Sequence, residues 1–157
     1  FDASVTWADI QWLRDLWPGT LIIKGILDAE DAAQAVRIGA QGLVVSNHGG
    51  RQLDGVRSTA SKLPEIVQAV GTDCEVLVDS GIRSGTDLFR ALALGARGVL
   101  VGRPWAWALA AGGEAAVTNL LSSWQRELQL VMTFAGVTHV ADIGPSHLDR
   151  VAAFATL

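Results

Sequence analysis

The sequence has no tyrosine and, across 157 residues, only one cysteine and one methionine. The lone cysteine, Cys74, cannot form a disulfide within the chain and gives no basis for a thiolate metal cluster. A reducing compartment is the natural reading, and a cytoplasmic location is expected. Concentrated positive charge is missing as well. The 12 basic and 16 acidic residues leave a net charge of −4, and no segment gathers Lys and Arg into a stripe that would follow the phosphates of a nucleic acid. Long apolar runs are also lacking. Lys24, Asn47, Asp79 and Arg103 interrupt them well short of a membrane span, and the opening FDASVTWADI has no signal-peptide pattern. With 50% hydrophobic residues, enough apolar surface remains for the core of one soluble domain.

Four short runs rich in β-branched residues organise the chain: Leu21–Lys24, Leu43–Ser46, Val76–Asp79 and Val99–Gly102. Each reads as a strand buried on both faces. Apolar residues at helical spacing predict helices over 28–38, 59–70 and 84–94. An amphipathic helix over about 6–16 precedes the first strand, and a longer helical stretch over about 106–135 carries an interruption near Gly112 and Gly113. Alternation of strand and helix predicts an α/β fold with parallel strands joined by right-handed crossovers. An internal repeat agrees, because residues 29–47 align without gaps on residues 85–103 at a constant offset of 56. Both copies contain Gly-Ala-x-Gly, at Gly39–Gly42 and Gly95–Gly98, where glycine ends a helix and turns the chain into the next strand. A complete (β/α)8 barrel takes about 250 residues, so four βα units amount to half of one. Four parallel strands alone leave open edges and an uncovered face, and the stable object is expected to contain more polypeptide than residues 1–157. No linker divides the chain, so these residues are expected to act as one unit.

Reactive groups of parallel α/β folds gather at the carboxyl ends of the strands. Here those ends carry Lys24-Gly25, the loop from Ser46 to Asp54, the loop from Asp79 to Gly85, and Gly102-Arg103-Pro104. The last two have the composition of a phosphate site: glycines let backbone N–H groups approach an anion, Ser84-Gly85 opens a helix, and Arg83 and Arg103 supply charge. The alternative for both arginines is a surface ion pair. His48 follows a buried strand, is followed by two glycines that admit a ligand, and has Arg51 three residues on, which makes it a candidate base. His139 and His147 lack such surroundings and are expected in peripheral structure. Asp54 has three open readings: orienting His48, pairing with an arginine, or capping its loop.

At IIKGILDAEDA, SNHGGRQLD, DSGIRSGTDLFRALALGA and VGRP the chain resembles the C-terminal half of the FMN-dependent α-hydroxy acid oxidase and dehydrogenase family. That family includes glycolate oxidase, lactate oxidase and mandelate dehydrogenase, and the 4-hydroxymandelate oxidase group is the most similar within it. The resemblance implies strands five to eight of a (β/α)8 TIM barrel with FMN as cofactor. It also implies oxidation of an α-hydroxy acid, mandelate-like or lactate or glycolate, to the α-keto acid.

Carried over by position, the resemblance makes His48 the active-site base and Arg51 the substrate-carboxylate ligand. Lys24 would lie beside the flavin N1 and C2 carbonyl, where positive charge stabilises the reduced ring. Ser46 becomes a flavin contact, and Asp79, Gly81, Arg83, Gly102 and Arg103 hold the ribityl chain and phosphate. The family's aspartate that orients the base, and the tyrosines of its substrate pocket, belong to its N-terminal half, which removes the orienting role from Asp54. Asp-Ser-Gly at 79–81 departs from the Asp-Gly-Gly of many members. Expected partners are a small α-hydroxy acid, an N-terminal half-barrel segment of the same protein and further copies in a homo-oligomer, without nucleic acid or membrane. The alternatives are another FMN-barrel enzyme, which would not explain His48-Gly-Gly-Arg51, and a non-catalytic half-barrel that binds FMN or phosphate.

Overall fold

A computed structural model describes residues 4–149. In chain order its elements are α1 (Trp7–Leu16), β1 (Ile22–Ile26), α2 (Ala29–Ile38), β2 (Gly42–Val45), α3 (Thr59–Val70), β3 (Glu75–Asp79), α4 (Gly85–Ala93), β4 (Gly98–Leu100) and α5 (Arg103–Phe134). The strands form one parallel sheet in the order β1-β2-β3-β4. Every element expected from the sequence is present, and α5 is broken as expected, at Gly112 and Gly113, where the backbone leaves helical geometry.

Local chemistry explains where the helices begin and end. Asp28, Ser58 and Ser84 each accept a hydrogen bond from a first-turn N–H, of Glu30, Ser61 and Asp87 respectively. At the other end, Gly39 directly after α2 and Gly95 one residue beyond α4 adopt φ of 93° and 101° and make matching backbone bonds, so the two copies of the repeat close their helices alike. The second glycine of each copy has a different duty. Gly42 and Gly98 are the first residues of β2 and β4, and a Cβ on Gly42 would lie 3.1 Å from Ile22 Cγ1 on the neighbouring strand.

The main core lies between the sheet and its helices. Leu43, Val45, Val76 and Val78 meet Ala32, Ala35, Leu63 and Ile66 there. Because strand side chains alternate, the residues between them, Val44 and Leu77, point to the opposite face. That face has no layer of its own among the described residues, and the expectation of strands buried on both faces holds only for β2. In β1 and β3 exposed or half-buried positions alternate with better-buried ones, and all of β4 is half-buried. A smaller core, of Phe89 and Ala93 from α4 with Met132, Val137 and Ile143, fastens the C-terminal part onto α4. His147 sits at this edge with its ring against Phe89, and His139 precedes a short 3-10 turn, so both are peripheral as expected. No described helix is long and apolar enough to cross a membrane.

The repeat glycines give a graded test. A Cβ on Gly95 would come within 2.8 Å of Val67 Cγ1, whereas one on Gly39 would meet only the flexible Arg14 side chain, at 3.5 Å. Left-handed backbone costs an L-residue about 1–2 kcal/mol, so Gly39→Ala should lose about that much. Gly95→Ala should lose about 1–3 kcal/mol more, the usual cost of overpacking. Urea unfolding of the two variants checks the difference, and equal losses would contradict the close packing of α4 on α3.

Candidate functional site

The face of the sheet turned away from the helices carries polar groups at its carboxyl end. Lys24 shares the register of Val44, and Asp79 shares the face of Leu77 by alternation. Their side chains meet across β2, with Lys24 Nζ 3.0 Å from Asp79 Oδ2. Ser46, the residue after β2, lies between them: its Oγ donates to Asp79 Oδ2 at 2.7 Å and accepts from Lys24 Nζ at 3.1 Å and from the His48 backbone N–H at 3.0 Å. A hydroxyl has one donor and two acceptor sites, so this one is fully used. That matters, because Ser46 is only 1% exposed and an unsatisfied buried hydroxyl is costly. Burial pushes the Asp79 carboxyl up, but the Ser46 hydroxyl and the Lys24 ammonium outweigh it and hold the group below the ordinary carboxylate value. Asp79 is therefore an anion at neutral pH, paired with a cation that remains partly open to the cavity.

The loop after β2 is held in an unusual backbone shape. His48, Gly49 and Gly50 follow one another at φ of 55°, 68° and 74°. Three contacts maintain it. Ser46 Oγ accepts the His48 N–H, and Asn47 Oδ1 and Ser80 Oγ both accept the Gly49 N–H, each at 3.0 Å. Beneath the imidazole lies Gly25, at φ 103°, where the pairing of β1 with β2 shifts register between Lys24 and Ile26. A Cβ on Gly25 would stand 3.0 Å from His48 Cε1, so glycine is what leaves room for the ring.

Ser80 is the second non-glycine residue at positive φ among those described, at 79°. The sequence shows serine here as a departure from glycine. The structure shows what it does: the hydroxyl, on a backbone glycine would adopt more easily, ties the β3 loop to the His48 loop.

Around these loops opens a cavity of about 350 Å3 whose wall includes Lys24, His48, Arg51, Asp79, Gly81, Arg83, Gly102 and Arg103. Of the candidates named from the sequence, Ser46, Asp54, Ser84 and Gly85 are not on this wall, and Ser46 is buried behind it, bonded to Lys24 and Asp79. Arg51, Arg83 and Arg103 make no ion pair with any carboxylate among the described residues, so the surface-ion-pair alternative fails for Arg83 and Arg103. Arg83 Nη1 donates to the Ile82 carbonyl, and the Arg103 guanidinium lies over Gly49, with Nη2 3.7 Å from where a Cβ would be. Asp54 Oδ1 accepts the Gly55 N–H at 3.0 Å, which supports the loop-capping reading.

One feature of the phosphate reading changes. At the start of α4, Gly85 N–H donates to Glu127 Oε2, Asp87 N–H to Ser84 Oγ and, just before the helix, Arg83 N–H to Asp87 Oδ2. The start of α5 is different, for Gly102 precedes it with no side-chain cap, leaving its positive end to the cavity. The Gly85 N–H is thus engaged within the protein, and the cavity opens between Gly102-Arg103 and the loop of Gly81 to Arg83. This donor set, with an ammonium at one end and two unpaired guanidiniums at the other, suits an elongated phosphorylated cofactor. Sequence reasoning missed Gly25, the Ser80 hydroxyl and Glu127. Of these only the Asp-Ser-Gly departure gave a signal.

Comparison with known proteins agrees with this geometry. A family model described as FMN-dependent dehydrogenase matches residues 1–150. The chain is 57% identical over 153 residues to an L-lactate dehydrogenase of Pseudomonas syringae pv. syringae (strain B728a), a match covering 98% of this chain and 40% of that protein. Its fold is similar to a crystal structure of mandelate oxidase with benzoyl-formic acid, at a TM-score of 0.83 and 51% identity, over 87% of this chain and 41% of that one. A mandelate oxidase variant with a monooxide FMN adduct gives a TM-score of 0.84 at 51% identity, over 89% and 45%. The chain thus spans less than half the length of the relatives it matches, as a parallel βα portion of their barrel. By sequence and by fold, the chain belongs to the FMN-dependent dehydrogenase family.

Proposed function

We propose that this chain forms the cofactor-holding half of an enzyme that oxidises an α-hydroxy acid to the α-keto acid with FMN as electron acceptor. The observation that carries the reading is the shared cavity. His48 and Arg51 open onto the same space as Lys24, Arg83 and Arg103, so a base, a carboxylate ligand and a phosphate cradle stand together. Arg83, Gly102 and Arg103 would hold the phosphate, Asp79 and Gly81 the ribityl chain, and Lys24 with Ser46 the ring. Bound there, FMN would supply the two-electron sink for the reaction. The names of the relatives point to the same chemistry, since lactate is an α-hydroxy acid and benzoyl-formic acid an α-keto acid.

In this reading Arg51 binds the substrate carboxylate through its planar fork, leaving the hydroxyl-bearing carbon near the imidazole. His48 then takes one proton, either from the hydroxyl or from Cα, onto a ring nitrogen. The backbone shape around His48 suits proton removal, because the Ser46 and Ser80 hydroxyls fix the loop and Gly25 leaves room for the ring. Residues 1–157 act as one unit, and the rest of the site comes from polypeptide beyond this chain, including the N-terminal half of the barrel. Such a division fits the exposure of His48, Arg51 and Arg103 in the chain alone. It also fits the absence of tyrosine, which leaves part of the choice of hydroxy acid to that other segment.

Two variants test the roles. His48→Ala should slow anaerobic flavin reduction by about 10²–10⁴-fold, the usual contribution of a positioned base, with FMN still bound; an unchanged stopped-flow rate would remove His48 from its role. Arg51→Lys should raise the Michaelis constant by about 10–100-fold, corresponding to about 1.5–3 kcal/mol for a lost charge-assisted hydrogen bond. A Michaelis constant equal to that of the unmodified enzyme would count against the carboxylate assignment.

A further inference from the structure

Glu127 lies on the far part of α5, beyond the break at Gly112 and Gly113, and is not on the cavity wall. Its carboxylate nevertheless reaches the start of α4, where Oε2 accepts the Gly85 N–H at 2.7 Å across 42 residues of sequence. The contact is close along the whole backbone. A Cβ on Gly85 would fall 2.2 Å from the Trp124 carbonyl oxygen and 2.7 Å from both Glu127 Cβ and the Leu128 nitrogen. Helix α5 thus lies directly against the first residue of α4, and only glycine permits it. A carboxylate on an otherwise unpartnered N–H at a helix start is favourable on two counts, as a hydrogen bond and as a charge against the helix dipole.

The consequence lies two residues upstream. Arg83 ends the loop that leads into α4, and its N–H is held by Asp87 within the same first turn, so the position of α4 sets the position of Arg83. Arg103 opens α5 itself. Arg103 thus belongs to the part of α5 before the break, and Glu127, on the part after it, anchors the start of α4 and with it the loop of Arg83. We propose that Glu127 is a positioning residue for the phosphate cradle, fixing the Arg83 loop opposite the Arg103 loop without touching the cofactor. This rests on the reading that the phosphate of FMN binds between those loops.

The test is the affinity of the apo-protein for FMN and for riboflavin, which has the same ring and ribityl chain but no phosphate. Fluorescence titration of Glu127→Ala should show FMN binding weakened about tenfold, as expected if the displaced Arg83 loop loses one charge-assisted hydrogen bond to the phosphate, with riboflavin affinity unchanged. Glu127→Gln keeps an acceptor oxygen at the same reach and should bind FMN nearly as the unmodified protein does. If Glu127→Ala does not fold, Glu127→Asp serves in its place, since it keeps the charge but withdraws the oxygens by one methylene. Equal weakening toward FMN and riboflavin would reduce Glu127 to general support of the fold and overturn the proposal. So would unchanged FMN affinity, or a Gln variant as impaired as the Ala one. If the unmodified protein bound no FMN at all, the functional reading would fall first; FMN binding that ignores Glu127 would leave that reading standing and remove only this inference.

Discussion

The hydroxyl of Ser46 joins three parts of the site at a point where water does not reach. It accepts from Lys24 in the middle of β1, donates to Asp79 at the end of β3, and accepts the backbone N–H of His48 in its own loop. Parallel strands are held in register by their backbone ladders, but nothing in a ladder dictates how the loops beyond it align. Here one small side chain does so. Together with the Lys24 ammonium it holds the carboxylate of Asp79 below its ordinary value against the cost of burial, and it fixes the first residue of a left-handed turn that presents the imidazole. Without it, the turn at His48 would lose its first support.

A second constraint acts on the opposite side of the loops. The two helix starts at the arginine-lined end of the cavity differ in what caps them. At α4 the Gly85 and Asp87 N–H groups are taken by Glu127 and Ser84, whereas α5 begins after a glycine with no side-chain cap. Beyond its break at Gly112 and Gly113, α5 also supplies the Glu127 that caps its neighbour. Two unpaired guanidiniums then face a pocket that lacks a compensating carboxylate at that end, an arrangement that favours a bound phosphate over an empty site.

Much of this was legible in the sequence, for physical reasons. The strands showed because parallel strands require runs of β-branched apolar residues, and the helix ends showed because Gly39 and Gly95 occupy positions that other residues resist. That His48, Arg51 and the loop arginines would share one cavity could be read because polar residues after parallel strands gather at one end of the sheet. Burial on both faces was misjudged for β1, β3 and β4: the pattern belongs to a complete barrel, while the described residues provide a layer on one face. What stayed hidden depends on tertiary distance. Nothing local ties Glu127 to Gly85, and the need for glycine at position 25 appears only when the imidazole from the next strand lies over it. Ser80 could be seen as unusual, but not that its hydroxyl reaches the Gly49 N–H.

The central claim is that this cavity, once completed by the rest of the barrel, couples an α-hydroxy acid to FMN. Its most direct test is the visible spectrum of the FMN-loaded protein mixed with L-lactate and, separately, with (S)-mandelate in the absence of oxygen. The account predicts that at least one of them bleaches the oxidised flavin band, with the matching α-keto acid formed in equal amount. A flavin band that persists with both, in a protein that holds FMN tightly, would contradict it and leave a half-barrel that binds the cofactor without this chemistry.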